Sequence, residues 1–374
     1  MVAARDFLPV LALVFAQPAL AQVDPGAGAW KLNGSLATAT TSGIGIPVRA
    51  GALSLSQTGE ASLKGKGLDN VAQYESEDHE IKGTIYVFYP AYADTALATW
   101  ATDRAIRERF GPNVTLAADS IVAVGGIPHA GVRRIYNRAE LTIGKPLTTA
   151  AGFVRAGSWI VALRVSGPVA RNADVEAALD ALLVGMRFDG NDKPMEAAAI
   201  KFGPACPPSK EKRAKLLSNK AASGNALLAS MLGGSIAIDD KNDGTVTKVK
   251  PPLAFPQNGA KALCLRGTVD AGERKLDVLS PTSADDAPIA LILLDDAGGT
   301  FAVEPALLLG KGYVVKRYGI GTVDVLGSYD GMPTLAQIGD ILSGADRNGS
   351  AIRSSTAFTP DGNSAITIDT NTLK

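Results

Sequence analysis

The sequence predicts an α+β protein of two domains. Three observations predict it: strand-like alternation recurs along the chain, helical periodicity interrupts it, and a polar junction, Asp189-Gly190-Asn191-Asp192-Lys193-Pro194, divides it. The expected plan is an antiparallel sheet covered by helices over residues 46–188, a linker over 189–195, and a β-rich α+β domain with one disulfide over 196–374. A chain of 374 residues suits two domains of roughly 150 residues each.

The elements follow in order. Residues 22–45, rich in Gly, Ala, Ser and Thr, read as a flexible segment. Strands are expected at Ala52 to Gln57, Asn70 to Glu75 and Ile81 to Tyr89. The last carries Ile81, Gly83, Ile85, Val87 and Tyr89 on one face and Thr84, Tyr86 and Phe88 on the other, so it belongs in the centre of a sheet. The period then becomes helical from Asp94 to Phe110, with Asp94 as N-cap and Gly111-Pro112 as the stop. Leu97, Trp100, Ala101 and Ala105 form its buried stripe, and Arg104, Arg107, Glu108 and Arg109 its solvated face. Strands resume at Val114 to Val124, Gly131 to Thr142, Thr148 to Arg155 and Ser158 to Val165. A second helix, Ala173 to Met186, buries Val175, Ala178, Leu179, Leu182 and either Val184 or Met186.

Ile85-Tyr86-Val87-Phe88-Tyr89-Pro90 before the first helix, Arg133-Arg134-Ile135-Tyr136 after it, and Trp159-Ile160-Val161-Ala162-Leu163-Arg164 before the second carry a resemblance. With this element order, residues 46–188 resemble a PsbP-like domain, the α/β/α sandwich of photosystem extrinsic proteins and several exported bacterial proteins. That superfamily shares no catalytic set, so the resemblance implies accessory or binding roles and transfers no site residue.

In the second half, Ser209 to Ala221 and Asn225 to Leu232 read as short helices. Strands are expected at Ser235 to Asp239, Ala262 to Val269, Lys275 to Leu279, Ile289 to Leu294, Thr300 to Val303, Tyr313 to Tyr318 and Thr322 to Leu326. A helix begins near Met332, with Pro333 in its first turn and Gly344 beyond its end. Ala351 to Phe358 and Ala365 to Ile368 close the chain as a hairpin around Asp361-Gly362.

Met1 to Ala21 reads as a signal peptide. An apolar run from Phe7 to Ala16 is followed by Pro18 and by Ala19-Leu20-Ala21, which predicts cleavage before Gln22. No later stretch is apolar enough to span a bilayer, which takes roughly 20 residues, and the expected compartment is periplasmic or secreted. In an oxidising compartment the only two cysteines, Cys206 and Cys264, are expected to pair.

Composition narrows the chemistry. With 46% hydrophobic and 20% charged residues the chain folds, and Lys+Arg 37 against Asp+Glu 37 leaves no net charge to attract nucleic acid. No cofactor is expected. Gly65-Lys66, Gly144-Lys145 and Gly310-Lys311 lack the upstream glycine of a phosphate-binding loop, and Gly65/Gly67 and Gly319/Gly321 lack the third glycine of a dinucleotide fingerprint. Serine catalysis needs a base, and the only histidines are His79 and His129. Ser209-Lys210-Glu211-Lys212 has the SxxK spacing but sits in a solvated charge run, where a lysine stays protonated.

Two acidic turns have oxygen ligands for a hard cation: Glu75, Glu77, Asp78, His79 and Glu80, and the calcium-loop-like Asp239-Asp240-Lys241-Asn242-Asp243-Gly244. In the second, Lys241 and Lys250 occupy ligand positions, and a polar turn explains the same residues. Lys210, Lys212, Arg213, Lys215 and Lys220 read as a solvated helix face, and Tyr86, Tyr89, Tyr92, Trp100, Tyr136 and Trp159 as core or sheet-face aromatics. The expectation is a non-catalytic exported protein acting through protein or envelope contacts. The competing readings are a hydrolase with a site near His129 and a binder of metal or a small ligand.

Overall fold

The computed structural model describes residues 28–62, 67–90, 94–111, 113–138, 146–189, 192–197, 205–206, 212–217, 237–238, 247–248, 263–272, 274–281, 290–294, 299–306, 312–360 and 364–368. Among the described residues the protein is mostly β, 56% strand and only 16% helical, which overturns the expected α+β class. In chain order the first half contains β1 (Trp30–Asn33), β2 (Leu36–Ala39), β3 (Ile44–Pro47), β4 (Arg49–Ala50), β5 (Leu53–Glu60), β6 (Asp69–Ser76) and β7 (Lys82–Phe88). Then come α1 (Thr95–Phe110), β8 (Val114–Val124), β9 (Ile127–Arg138), β10 (Leu147–Ala156), β11 (Trp159–Pro168), α2 (Asn172–Gly185) and β12 (Arg187–Phe188). The second half contains β13 (Ala237–Ile238), β14 (Thr247–Lys248), β15 (Leu263–Ala271), β16 (Arg274–Pro281), β17 (Ala290–Leu293), β18 (Thr300–Pro305), β19 (Tyr313–Gly319), β20 (Thr322–Tyr329), β21 (Ser354–Phe358) and β22 (Ser364–Ile368). A single helix, α3 (Leu335–Leu342), lies between β20 and β21.

Two stretches account for the corrected class. Residues 28–45, expected to be loose, form β1, β2 and β3, which with β12 make a four-stranded sheet. Their small side chains are what the tight site accepts: Ala37 and Ala39 are fully buried beside Ile44 and Ile46. Residues 212–217, inside the expected helix from Ser209 to Ala221, are extended instead. Leu216 bridges Tyr329, and the Leu217 amide donates to the Ser328 carbonyl at 2.8 Å. The expected helix Asn225 to Leu232 lies outside the described residues.

The first large sheet has the order β4-β5-β6-β7-β11-β10-β9-β8 and is antiparallel throughout. β7 lies in its interior between β6 and β11, as its two apolar faces require. On one face α2 packs Val175, Ala178, Leu179, Leu182 and Leu183 into a core with Ile85, Val87, Trp159 and Leu163, shared with β2 and β3. Gly152 makes this approach possible, because a Cβ there would press on Leu163, Leu179 and Leu183. Met186 is buried and Val184 points out, which resolves the two alternatives at the end of α2.

On the other face α1 packs Ile106 against Val132, Tyr136, Ala151 and Phe153. The Asp94 carboxylate accepts from the amides of Ala96 and Leu97, and the Gly111 amide closes the helix onto the Arg107 carbonyl. The opposite stripe of α1, Leu97 with Trp100, packs against Leu263, Leu279, Leu291, Ala302, Tyr318 and Val323. These belong to the second large sheet, an antiparallel meander running β15 to β22 in sequence order. Its far face buries Val278, Ile292, Phe301 and Val303 under Ile338 and Ile341 of α3. Helix α3 starts at a Thr334–Gln337 capping box, so Pro333 precedes the helix rather than entering its first turn.

α1 is thus shared between the two large sheets. The seam also carries an Arg104–Asp277 ion pair, a Pro90–Ile320 bridge and a 2.8 Å bond from the Gly321 amide to the Tyr89 carbonyl. The expected linker, residues 189–195, is bonded as well, the Met195 amide donating to the Arg155 carbonyl, and just beyond it the Ala197 amide donates to that of His129, each at 2.8 Å.

Candidate functional site

Strand alternation sends the neighbouring arginines of Arg133-Arg134 to opposite faces of the first sheet. Arg133 forks onto α2, with Nε 2.7 Å from Asp180 and Nη2 2.8 Å from Glu176, one helical turn apart. Arg134 turns toward α1. It bonds Asp119 of β8 at 2.8 Å and lies 3.8 Å from Asp103, while the latter is also bonded by Arg107. Tyr136 is buried in the same place, and burial, followed by the charge of Asp103, raises its phenol above the ordinary value. β9 is therefore clamped to both helices, and it presents its neighbour β8 as a fixed outer strand.

β8 is the free edge of the first sheet. Six of its eleven residues, Thr115, Leu116, Ala117, Asp119, Ser120 and Ala123, are exposed. Bulges at Leu116/Ala118 and Val122/Val124 bracket a regular stretch from Ala118 to Val122. It contains no proline, and its one charge, Asp119, is engaged by Arg134. The other edges differ. β4 has two residues, the outer edge of β15 accepts the Cys206 amide at Leu265, and β22 has five residues. Shortness, covering and bulges are ordinary protections of an edge; β8 is not short, no hydrogen bond among the described residues covers Ala118 to Val122, and the two bulges lie outside that stretch.

The sequence-derived candidates are dispersed. His79 and His129 are the only non-glycine residues described with positive φ, at 61° and 55°. His79 ends the β6–β7 turn with Nδ1 2.9 Å from Glu75, and both side chains are solvated enough to exchange with water. His129 sits exposed at the β8–β9 bulge, and its carbonyl receives the linker. In the acidic turn Glu75 is bonded by His79 and Lys82, and Asp78 by Ser76 and Arg171. Hydrogen bonds from Ser76, then from Arg171 and the Glu80 amide, hold the Asp78 carboxyl down to about 2. Among the described residues, no group of three or more His, Cys, Asp or Glu could hold a metal ion.

Cys206 and Cys264 form the expected disulfide, with Cα atoms 4.9 Å apart across a separation of 58 residues. It fastens the chain leaving the first unit to β15. Of the basic segment, Lys212, Arg213 and Lys215 are exposed and Ala214 is buried. Ser209, Lys210, Lys220, Tyr92 and the turn Asp239 to Gly244 lie outside the described residues, as do residues 1–27. Tyr136 and Trp159 are buried, and Tyr86, Tyr89 and Trp100 half-buried, so these aromatics are core and seam. Among the described residues no helix is long and apolar enough to cross a membrane.

One charged group escaped sequence reasoning. Glu304 and Lys316, on β18 and β19, are 5% and 8% exposed and bonded at 2.9 Å. The Tyr318 hydroxyl donates to the other Glu304 oxygen at 2.8 Å. Both residues share the sheet face of Ala302 and Tyr318, which is the face turned to α1. The only signal was a glutamate inside an apolar strand, Phe301-Ala302-Val303-Glu304. No family model matches the chain, and none of the curated proteins does.

Proposed function

We propose that this is an exported, non-catalytic protein that works by contact with another protein, offering the β8 edge for strand addition. The observation that supports it is the contrast among the edges of the two large sheets: β8 is the longest, eleven residues, and its one charge is engaged by Arg134, while β4 has two residues, β22 has five and β15 accepts the Cys206 amide. An extended partner segment gains main-chain hydrogen bonds along such an edge, with alternate side chains meeting Ile121 and Val122. The disulfide favours an oxidising compartment, periplasmic or extracellular, in keeping with the signal peptide read at Met1 to Ala21. The PsbP-like reading of residues 46–188 belongs to the same proposal, since it implies accessory or binding roles.

The test is in-cell photocrosslinking from Ser120 on the edge and from Thr268, exposed on β15. A partner captured from Ser120 alone, and lost when Ser120 and Ala123 become lysine, supports the proposal. Lysines there leave folding within about 0.5 kcal/mol, as ordinary surface changes do. Equal capture from both positions, or capture that survives the lysines, would sink it. So would turnover of ester, peptide or phosphate substrates that His129→Ala abolishes.

A further inference from the structure

A cleft of about 480 Å³ opens beside the small sheet, lined by the β1–β2 turn (Gly34, Ser35, Leu36), by Pro47, Val48 and Arg49, and by Gly185 and Arg187 after α2. No acidic side chain lines it, and two arginines do. Arg49 is exposed and has no hydrogen-bond or ion-pair partner among the described residues. Arg187 spends one nitrogen, Nη1, on the carbonyls of Met186 and Val184, at 2.7 and 3.2 Å, which leaves its other donors uncommitted. The floor from Leu36 and Pro47 is apolar. Uncommitted guanidinium forks select an oxyanion such as a carboxylate, and the apolar side chains of Leu36, Pro47 and Val48 in the lining offer a surface for a short tail.

We propose that this cleft binds a soluble anionic amphiphile, a carboxylate bearing a short apolar chain, with the carboxylate on Arg49 and Arg187 and the chain over Leu36 and Pro47. The volume falls within the range of small-molecule sites, about 300 to 1,000 Å³. No residue of β8 lines the cleft, and its test does not depend on that edge.

Isothermal titration of the full mature chain with octanoate tests the proposal, with octanol, inorganic phosphate and phosphatidylglycerol vesicles as the other arms. Octanoate is expected to bind one saturable site, and octanol and phosphate at least about tenfold more weakly, the scale of a hydrogen bond to a charged group. Arg49→Gln, which removes no side-chain hydrogen bond or ion pair seen among the described residues, is expected to weaken octanoate about tenfold and to melt as wild type does. The proposal is overturned if octanoate shows no saturation, if Arg49→Gln binds it like wild type, or if octanol matches it. Binding to the anionic vesicles without binding to octanoate overturns it too, in favour of a lipid surface.

Discussion

Replacing Lys316 by Met should destabilise the second sheet by about 3 to 5 kcal/mol. Methionine keeps the apolar stem in place between Ala302 and Val325, its cross-strand neighbours, and removes only the ammonium. Glu304, 5% exposed, then keeps the Tyr318 hydroxyl as its sole described partner. One hydrogen bond from a hydroxyl to a carboxylate returns about 1.5 to 3 kcal/mol, too little to offset a carboxylate removed from water. For a unit of this size the loss lowers the melting temperature by about 6 °C or more. The companion variant carries Lys316→Met, Glu304→Leu and Tyr318→Phe together. It removes every charged and hydroxyl group of the cluster, and its stability should return to within about 2 kcal/mol of wild type, since a buried pair is often no better than apolar packing. Urea denaturation of wild type, the single variant and the triple variant measures all three. A single variant within about 1 kcal/mol of wild type would show that Glu304 reaches water, and the reasoning from burial would be wrong.

Two further outcomes follow from the same structure. Cys206→Ser with Cys264→Ser opens a crosslink spanning 58 residues and should cost about 4 kcal/mol by loop-closure entropy; wild type in reductant should melt like the double variant, and unchanged melting in both cases would contradict it. Asp78 sets an acid dependence. Its carboxyl is held down to about 2 from an ordinary 3.8, so the stability it adds is complete above about pH 4 and is lost as pH falls through about 2. Asp78→Asn should therefore flatten the stability profile between pH 4 and pH 2, read by chemical denaturation at each pH, and a profile parallel to wild type would refute the assignment.

The strands were legible because their side chains alternate. Val114 to Val124 was bounded to the residue, and β7 was placed in a sheet interior by Ile85 and Val87 against Tyr86 and Phe88. Both ends of α1 were legible in Asp94 and Gly111, whose roles are local. What failed was any inference in which composition stood in for partners. Gly, Ala, Ser and Thr in residues 28–45 suggested looseness, yet small side chains suit β2 and β3 where they share a core with α2. Lysines around Leu216 suggested a helix, yet the carbonyl of Ser328 and the amide of Asp330 made an extended segment the better bonded state. The Glu304–Lys316 pair and the Arg49–Arg187 cleft join residues 12 and 138 positions apart. No spacing rule reaches the second of these.

The polar junction at Asp189 marked a division of the chain but not of the energy. α1 is encoded in the first half and buries Ile106 against the first sheet, yet its Leu97 and Trp100 complete the core of the second. A helix with one apolar stripe docks on one surface, and a helix with two opposed stripes joins two surfaces. The hydrophobic pattern from Leu97 to Ile106 holds both stripes; the single expected stripe of Leu97, Trp100, Ala101 and Ala105 left out Ile106, and with it the second surface. Asp103 and Arg104 show the same division in charge: adjacent along α1, they lie beside Arg134 of the first sheet and Asp277 of the second. The two large sheets are therefore coupled through one helix, and the β8 edge is carried on a body braced from both sides of the junction.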